Sequence, residues 1–198
     1  MQTIRFEIEG KRPLLMHSLR LLNKFDPLSR EKATLTSARK KSDADQMRIQ
    51  EIDWLGSMYF DPQIGPYIPS DNIEAMIVEG AKISKGGKDV KRAVTILEDR
   101  APLRYEGPRD LEGLYGDGCG PFVDTRGVRN QAQRVMRCRP IFMHWALTFT
   151  ASFNTTVIKN AETLARFVTD AGDLVGLGDY RPKFGRFSVI SVAEVDAP

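Results

Sequence analysis

Two short stretches hold the residue types that grip phosphates and bases. The first is Gly176-Leu-Gly-Asp-Tyr-Arg-Pro-Lys-Phe-Gly-Arg-Phe187, with three glycines, three cations and three aromatics in twelve residues. Gly176, Gly178 and Gly185 permit a backbone approach that a Cβ would block. Arg181, Lys183 and Arg186 supply charge for phosphate, and Tyr180, Phe184 and Phe187 supply flat faces for a base. The second runs from Asp124 to Arg139. Arg126, Arg129, Arg134, Arg137 and Arg139 occur there with no acid between them, which is the electrostatic footprint of a phosphate binder. Asn130, Gln131 and Gln133 suit sugars or base edges, and Val128, Val135 and Met136 suit wedging between bases.

Each stretch also has a plain structural reading. The glycine stretch can be a tight turn with Phe184 and Phe187 in the core. The arginines can belong to a solvated hairpin and pair with surface acids. A nucleotide-phosphate loop is a poor fit, because GxxxxGK[ST] is missing and the glycines precede a strand pattern, not a helix. Lys11, Arg12 and His17 flank the end of the first strand pattern and are further candidate contacts.

Composition narrows the function classes. The 198 residues carry 29 Lys and Arg against 26 Asp and Glu, a net charge of +3, so the placement of charge matters more than its total. Cys119 and Cys138 form no CxxC and have no histidine at ligand spacing, so they read as free thiols of a reducing compartment, with a single disulfide as the weaker alternative. With only His17 and His144, a structural zinc site is not expected, and no cofactor is. The first residues alternate and lack a signal-peptide core, and no apolar run is long enough to span a bilayer. The expectation is a cytoplasmic protein with no membrane partner.

The elements that must position these residues follow from periodicity. Ile4, Phe6 and Ile8 alternate with Arg5, Glu7 and Glu9, which marks a half-buried strand. Residues 20–48 are polar and basic, including Arg39-Lys40-Lys41, and predict a mobile loop around 28–42. A helix starts near Asp43 with Met47, Trp54, Leu55 and Met58 on one side. Another starts at Ser70 or Asp71, with Glu74 completing a capping box and Ile73, Met76, Ile77 and Ala81 forming the stripe. Residues 90–97 read as strand, 106–121 as loop and 122–139 as a basic hairpin. Trp145, Leu147, Phe149, Ala151 and Phe153 form the clearest strand, and His144 beside it reads as structural. Residues 160–171 read as a helix stopping at Gly172, and Phe187–Val192 as the last strand. The order β-α-β … β-α-β predicts an α+β fold. It would be a ferredoxin-like or RRM-like antiparallel sheet with helices on one face, in a single domain 1–198 with insertions at about 20–60 and 106–140.

This order of motifs resembles the RAMP superfamily of CRISPR proteins, and within it the backbone subunit that polymerises along guide RNA. The resemblance is carried by four features. The first strand runs into Pro13-Leu-Leu-Met-His17 at a sheet edge, and Tyr67-Ile-Pro-Ser-Asp-Asn-Ile-Glu-Ala-Met76 matches a proline-then-helix segment. The basic hairpin and the C-terminal glycine loop are the other two. The resemblance implies a non-catalytic protein of antiviral defence that binds single-stranded RNA independently of sequence. It implies copies of the protein assembled head to tail into a filament, with other CRISPR effector subunits as further partners. It also supplies alternatives. One is an RNA endonuclease using His17 as general base, or a loop carboxylate such as Asp26 or Asp124 with a divalent metal, although a lone carboxylate is a weak metal site. Another is a protein-binding mimic that inhibits a CRISPR complex. The short length, and Asp179 and Pro182 inside the loop, depart from the pattern and suggest a stand-alone or mobile-element version.

Overall fold

Strand β1 (Gln2–Gly10) buries Ile4, Phe6 and Ile8 and exposes Arg5 and Glu9, following its alternation. It lies antiparallel between β9 (Ala146–Phe153) and β10 (Phe187–Glu194). The register sets Ile4 opposite Ala151, Phe6 opposite Phe149 and Ile8 opposite Leu147. The Phe6 and Phe149 rings stack 5.3 Å apart, so one face of the sheet is uniformly apolar. Beyond β9 come β5 (Val94–Ile96) and β6 (Arg100–Arg104), and from β6 the sheet continues through β4 (Gly65–Pro69) to β3 (Phe60–Asp61). The order β10, β1, β9, β5/β6, antiparallel throughout, is the ferredoxin-like arrangement, and the chain is an α+β protein. The computed structural model describes residues 1–130 and 133–196, with the backbone alone for 129, 130, 133 and 134.

The apolar face is covered by α3 (Ser70–Lys82) and α6 (Ala161–Asp170). Ile73, Met76 and Ile77 of α3, and Leu164, Phe167 and Val168 of α6, join the sheet residues in one core. Asn160 caps α6 by accepting from the Thr163 N–H at 3.0 Å. The expected capping box on α3 does not form. Pro69 precedes the helix without a side-chain cap, and Glu74 accepts from the Ile96 N–H at 3.0 Å, which ties α3 to β5. Helix α6 also does not stop at Gly172; a π-turn over Ala171–Val175 carries it to Gly176, whose φ of +86° ends it.

The insertions hold more structure than their composition suggests. Where a mobile loop was expected, α1 (Pro27–Ser37) forms, started by Pro27 and by Asp26 accepting from the Leu28 N–H. Residues 87–93 form α4 (Gly87–Ala93), so only Val94–Ile96 of the expected strand is strand. A short α5 (Leu111–Tyr115) interrupts the expected 106–121 loop. The basic hairpin is present as β7 (Val123–Asn130) and β8 (Gln133–Phe142). The segment expected at the edge of the main sheet gives β2 (Leu14–Leu15), which pairs with β8 in a separate three-stranded sheet. Helix α2 (Asp43–Ser57), opened by a Ser42–Asp45 capping box, lies against that sheet. Trp54 Nε1 of α2 donates to the Phe122 carbonyl at 3.0 Å, and Gln50 Nε2 to Thr125 Oγ1 at 3.3 Å. Met47 points away, exposed, contrary to its expected place on the packed side. Among the described residues no helix is long and apolar enough to cross a membrane.

Candidate nucleic-acid interface

The glycine loop is built onto β2. The Asp179 N–H donates to the Leu15 carbonyl at 2.8 Å, the Gly185 N–H to the Pro13 carbonyl at 2.8 Å, and the Leu177 N–H to the Gly185 carbonyl at 2.9 Å. These bonds draw backbone against backbone. A Cβ on Gly178 would collide with the Leu15 carbonyl oxygen, and one on Gly185 with that of Leu177; both glycines hold positive φ, +81° and +73°. The close approach permitted by Gly176, Gly178 and Gly185 is therefore to the protein's own chain. The loop's aromatics divide similarly. Phe187 packs against Trp145 in the core, and Phe184 is buried with Leu15 and Ile141. Tyr180 is 47% exposed and stacks on Phe184 with ring centroids 5.6 Å apart. It is the aromatic of the loop that offers a surface for stacking.

The hairpin base meets this loop, and Arg139 is the joint. The residue is only 4% exposed, yet it belongs to the cluster expected to face phosphate. Its Nη1 lies 2.5 Å from Asp179 Oδ2, its Nη2 3.7 Å from Asp124 Oδ2, and its guanidinium 5.9 Å from the Tyr180 centroid. Among the described residues, Nε and Nη2 have no hydrogen-bond acceptor. Asp124 also pairs with Arg126, whose guanidinium sits 4.6 Å over the Phe184 ring. The expectation of arginines free of acidic partners is thus corrected at the hairpin base. Asp124, just before the cluster, and Asp179, forty positions after Arg139, neutralise Arg126 and Arg139. The hydrogen bond to Asp124 raises the pKa of Arg126 further, so it stays charged. Toward the tip, Arg129 and Arg134 are paired in backbone register, but their side chains, and Gln131 with its neighbour, lie outside the described residues.

The remaining candidates gather around the loop. The Lys11 and Arg12 N–H groups both donate to the Arg186 carbonyl, at 2.7 and 3.1 Å, so these three cations share one corner. Lys11 there pairs with Asp173 at 2.8 Å, and Arg186 Nε donates to the Pro182 carbonyl at 3.0 Å. Arg12, Arg181 and Lys183 are exposed, and the Lys183 Nζ lies 5.7 Å from the Tyr180 centroid. His17 is half-buried between two small clefts. One is bordered by Tyr59, Asn72, Gly178 and Arg181, the other by Lys32, Asp53, Ser57 and Arg137. Its Nδ1 is 3.2 Å from Ser57 Oγ. Burial is the main cause that lowers its pKa; Arg137 and Arg139 push the same way, against Asp179 and Asp53. Neither loop carboxylate is unengaged: Asp26 caps α1 and pairs with Arg20 at 2.7 Å, and Asp124 holds Arg126 and Arg139. His144 is exposed at the turn before β9. The sequence reading missed Lys32, Asp53, Tyr59 and Asn72 as neighbours of His17, since nothing local announces that three separate elements converge there.

No family model matches the chain, and neither does any curated protein. Among solved structures, the fold is similar to that of a chain in the cryo-EM structure of the Type III-B Cmr-beta bound to cognate target RNA. The TM-score is 0.54 and the sequence identity 10%, over 98% of this chain. The chain spans 60% of the length of that neighbour. The likeness is one of fold alone.

Proposed function

We propose that this protein binds single-stranded RNA without sequence preference, as a non-catalytic backbone subunit of RAMP type that assembles head to tail along a guide RNA. The observation that carries the reading is the joint between hairpin and loop. Arg139, Asp124, Asp179 and the Arg126–Phe184–Tyr180 stack weld two cationic segments far apart in sequence into one surface. That surface presents Arg12, Arg181 and Lys183 beside an exposed tyrosine face, with Arg137 on the hairpin stem. Such a set grips phosphates and stacks a base while reading no base edges. The RNA-bound complex that contains the structural neighbour supports the same class of ligand.

The first experiment is size-exclusion chromatography of protein purified from cells, with the 260/280 nm absorbance ratio, before and after RNase. A large RNA-rich particle that collapses on RNase supports the reading. Nucleic-acid-free protein with no affinity for a fluorescent oligouridylate at low salt refutes it. A second reading, an RNA endonuclease, is favoured by one observation: His17 is held toward its neutral form beside Arg137 and Lys32, as a general base needs. Cleavage by wild type that is lost in His17→Ala, with binding kept, would select it.

A further inference from the structure

A groove of about 840 Å³ lies between α3 and α4, on the flank of α3 next to the one that meets the clefts under the glycine loop. Its floor is aliphatic, formed by Ala75, Val78 and Val94. Its rim carries Lys85, Lys88 and Lys91, all exposed and in no ion pair among the described residues. Of the acids lining it, Glu79 pairs with Lys82 and Glu74 accepts from the Ile96 N–H, while Asp71 at the start of α3 is exposed. Four lysines against three acids leave the lining net positive. Between Asp71 and Lys82 it follows α3 for about 16 Å, roughly three turns of an opposing helix.

We propose that this groove docks an amphipathic helical segment of a protein partner, with an apolar face toward the valines and acidic residues toward the lysines. The floor decides between partners. RNA would find lysines but no aromatic face on which to stack, since none lines the groove. Aliphatic anchors at i, i+3/i+4 and i+7 find a matching trough, and acidic flanks find uncommitted ammonium groups. Ala75 and Glu79 of α3 border both this groove and the clefts under the glycine loop. A docked partner would therefore lie beside the surface proposed for RNA, with Ala75 and Glu79 at the boundary.

The test uses the full chain and two capped synthetic helices of about fourteen residues, close to 20 Å long. One has a leucine stripe flanked by glutamates; the other has the same stripe flanked by lysines. Fluorescence anisotropy at low salt should show the acidic helix binding and the basic one not. Val78→Glu, and separately the triple change Lys85→Glu, Lys88→Glu, Lys91→Glu, should each weaken the acidic helix at least about tenfold. Affinity for fluorescent oligouridylate should not change in either variant, which separates this proposal from the RNA reading. Failure of the acidic helix to bind, equal binding of both helices, or unchanged binding by the variants would overturn it. Loss of oligouridylate binding in the triple variant would assign the lysines to nucleic acid and overturn it as well.

Discussion

Replacing Arg139 by methionine separates a structural arginine from a phosphate-binding one. The side chain is 5% exposed and sits between two carboxylates, so its removal leaves charge behind in a poorly solvated place. Breaking a buried pair by deleting one partner typically costs about 3–5 kcal/mol. Here the penalty is cushioned. Asp124 keeps Arg126, and Asp179 keeps the Tyr180 N–H and a side chain 32% exposed to water. The lower end, about 3 kcal/mol, is expected. For a chain of this size each kcal/mol moves the melting temperature by about 2–4 °C, so Arg139→Met should melt about 6–12 °C lower. Asp179→Asn should lose less, because the amide still accepts from Arg139. The decisive assay is the salt dependence of oligouridylate binding. Each phosphate contact contributes about 0.7 to the slope of log K against log salt for a single strand. Arg181→Gln should reduce the slope by about that amount. Arg139→Met should weaken binding by loosening the joint yet keep the slope. An Arg139→Met protein that melts like wild type and loses slope would refute the reasoning.

Three further outcomes follow from the same geometry. His17 has its folded pKa below the ordinary 6.5, so the unfolded chain takes up the proton first. Its contribution is complete above about pH 6.5 and is lost as pH falls through the folded value, and urea midpoints measured across that window should flatten in His17→Gln. Gly185→Ala should yield little folded protein by circular dichroism, because the methyl would meet the Leu177 carbonyl and the φ of +73° is costly for alanine, at about 1–2 kcal/mol before any clash. Iodoacetamide at neutral pH should label Cys119 quickly and Cys138 slowly by mass spectrometry, since Cys119 is exposed while burial raises the pKa of the Cys138 thiol. Equal labelling of both in native protein would contradict the packing of the hairpin on α2.

Periodicity revealed the sheet and its two covering helices because burial there is one-sided. Ile4, Phe6 and Ile8, the Leu147–Phe153 alternation and the Ile73–Ala81 stripe each write their partner's position into the sequence. The hairpin was legible from its composition, but the state of its arginines was not. Arg139 finds Asp179 forty positions away, and no local pattern encodes that pairing. Helix α1 was misjudged because it buries no residue fully, although Asp26-Pro27 is a start signal present in the sequence. At 90–97 the β-branched residues outweighed the helix that precedes them. Glycine was read as room for a ligand, whereas the space at 178 and 185 is filled by the carbonyls of Leu15 and Leu177.

The bonds accepted by the Pro13 and Leu15 carbonyls and the one donated by the Leu177 N–H fix the two ends of the glycine loop and leave Arg181 and Lys183 projecting from its middle. Scaffold and payload are therefore separable. Substitution at the ends is a folding problem, while substitution at 181 or 183 changes the outward chemistry at little risk to the fold. A library randomised at those two positions should stay soluble and span a range of affinities. The loop is thus a mount on which binding strength can be retuned one side chain at a time.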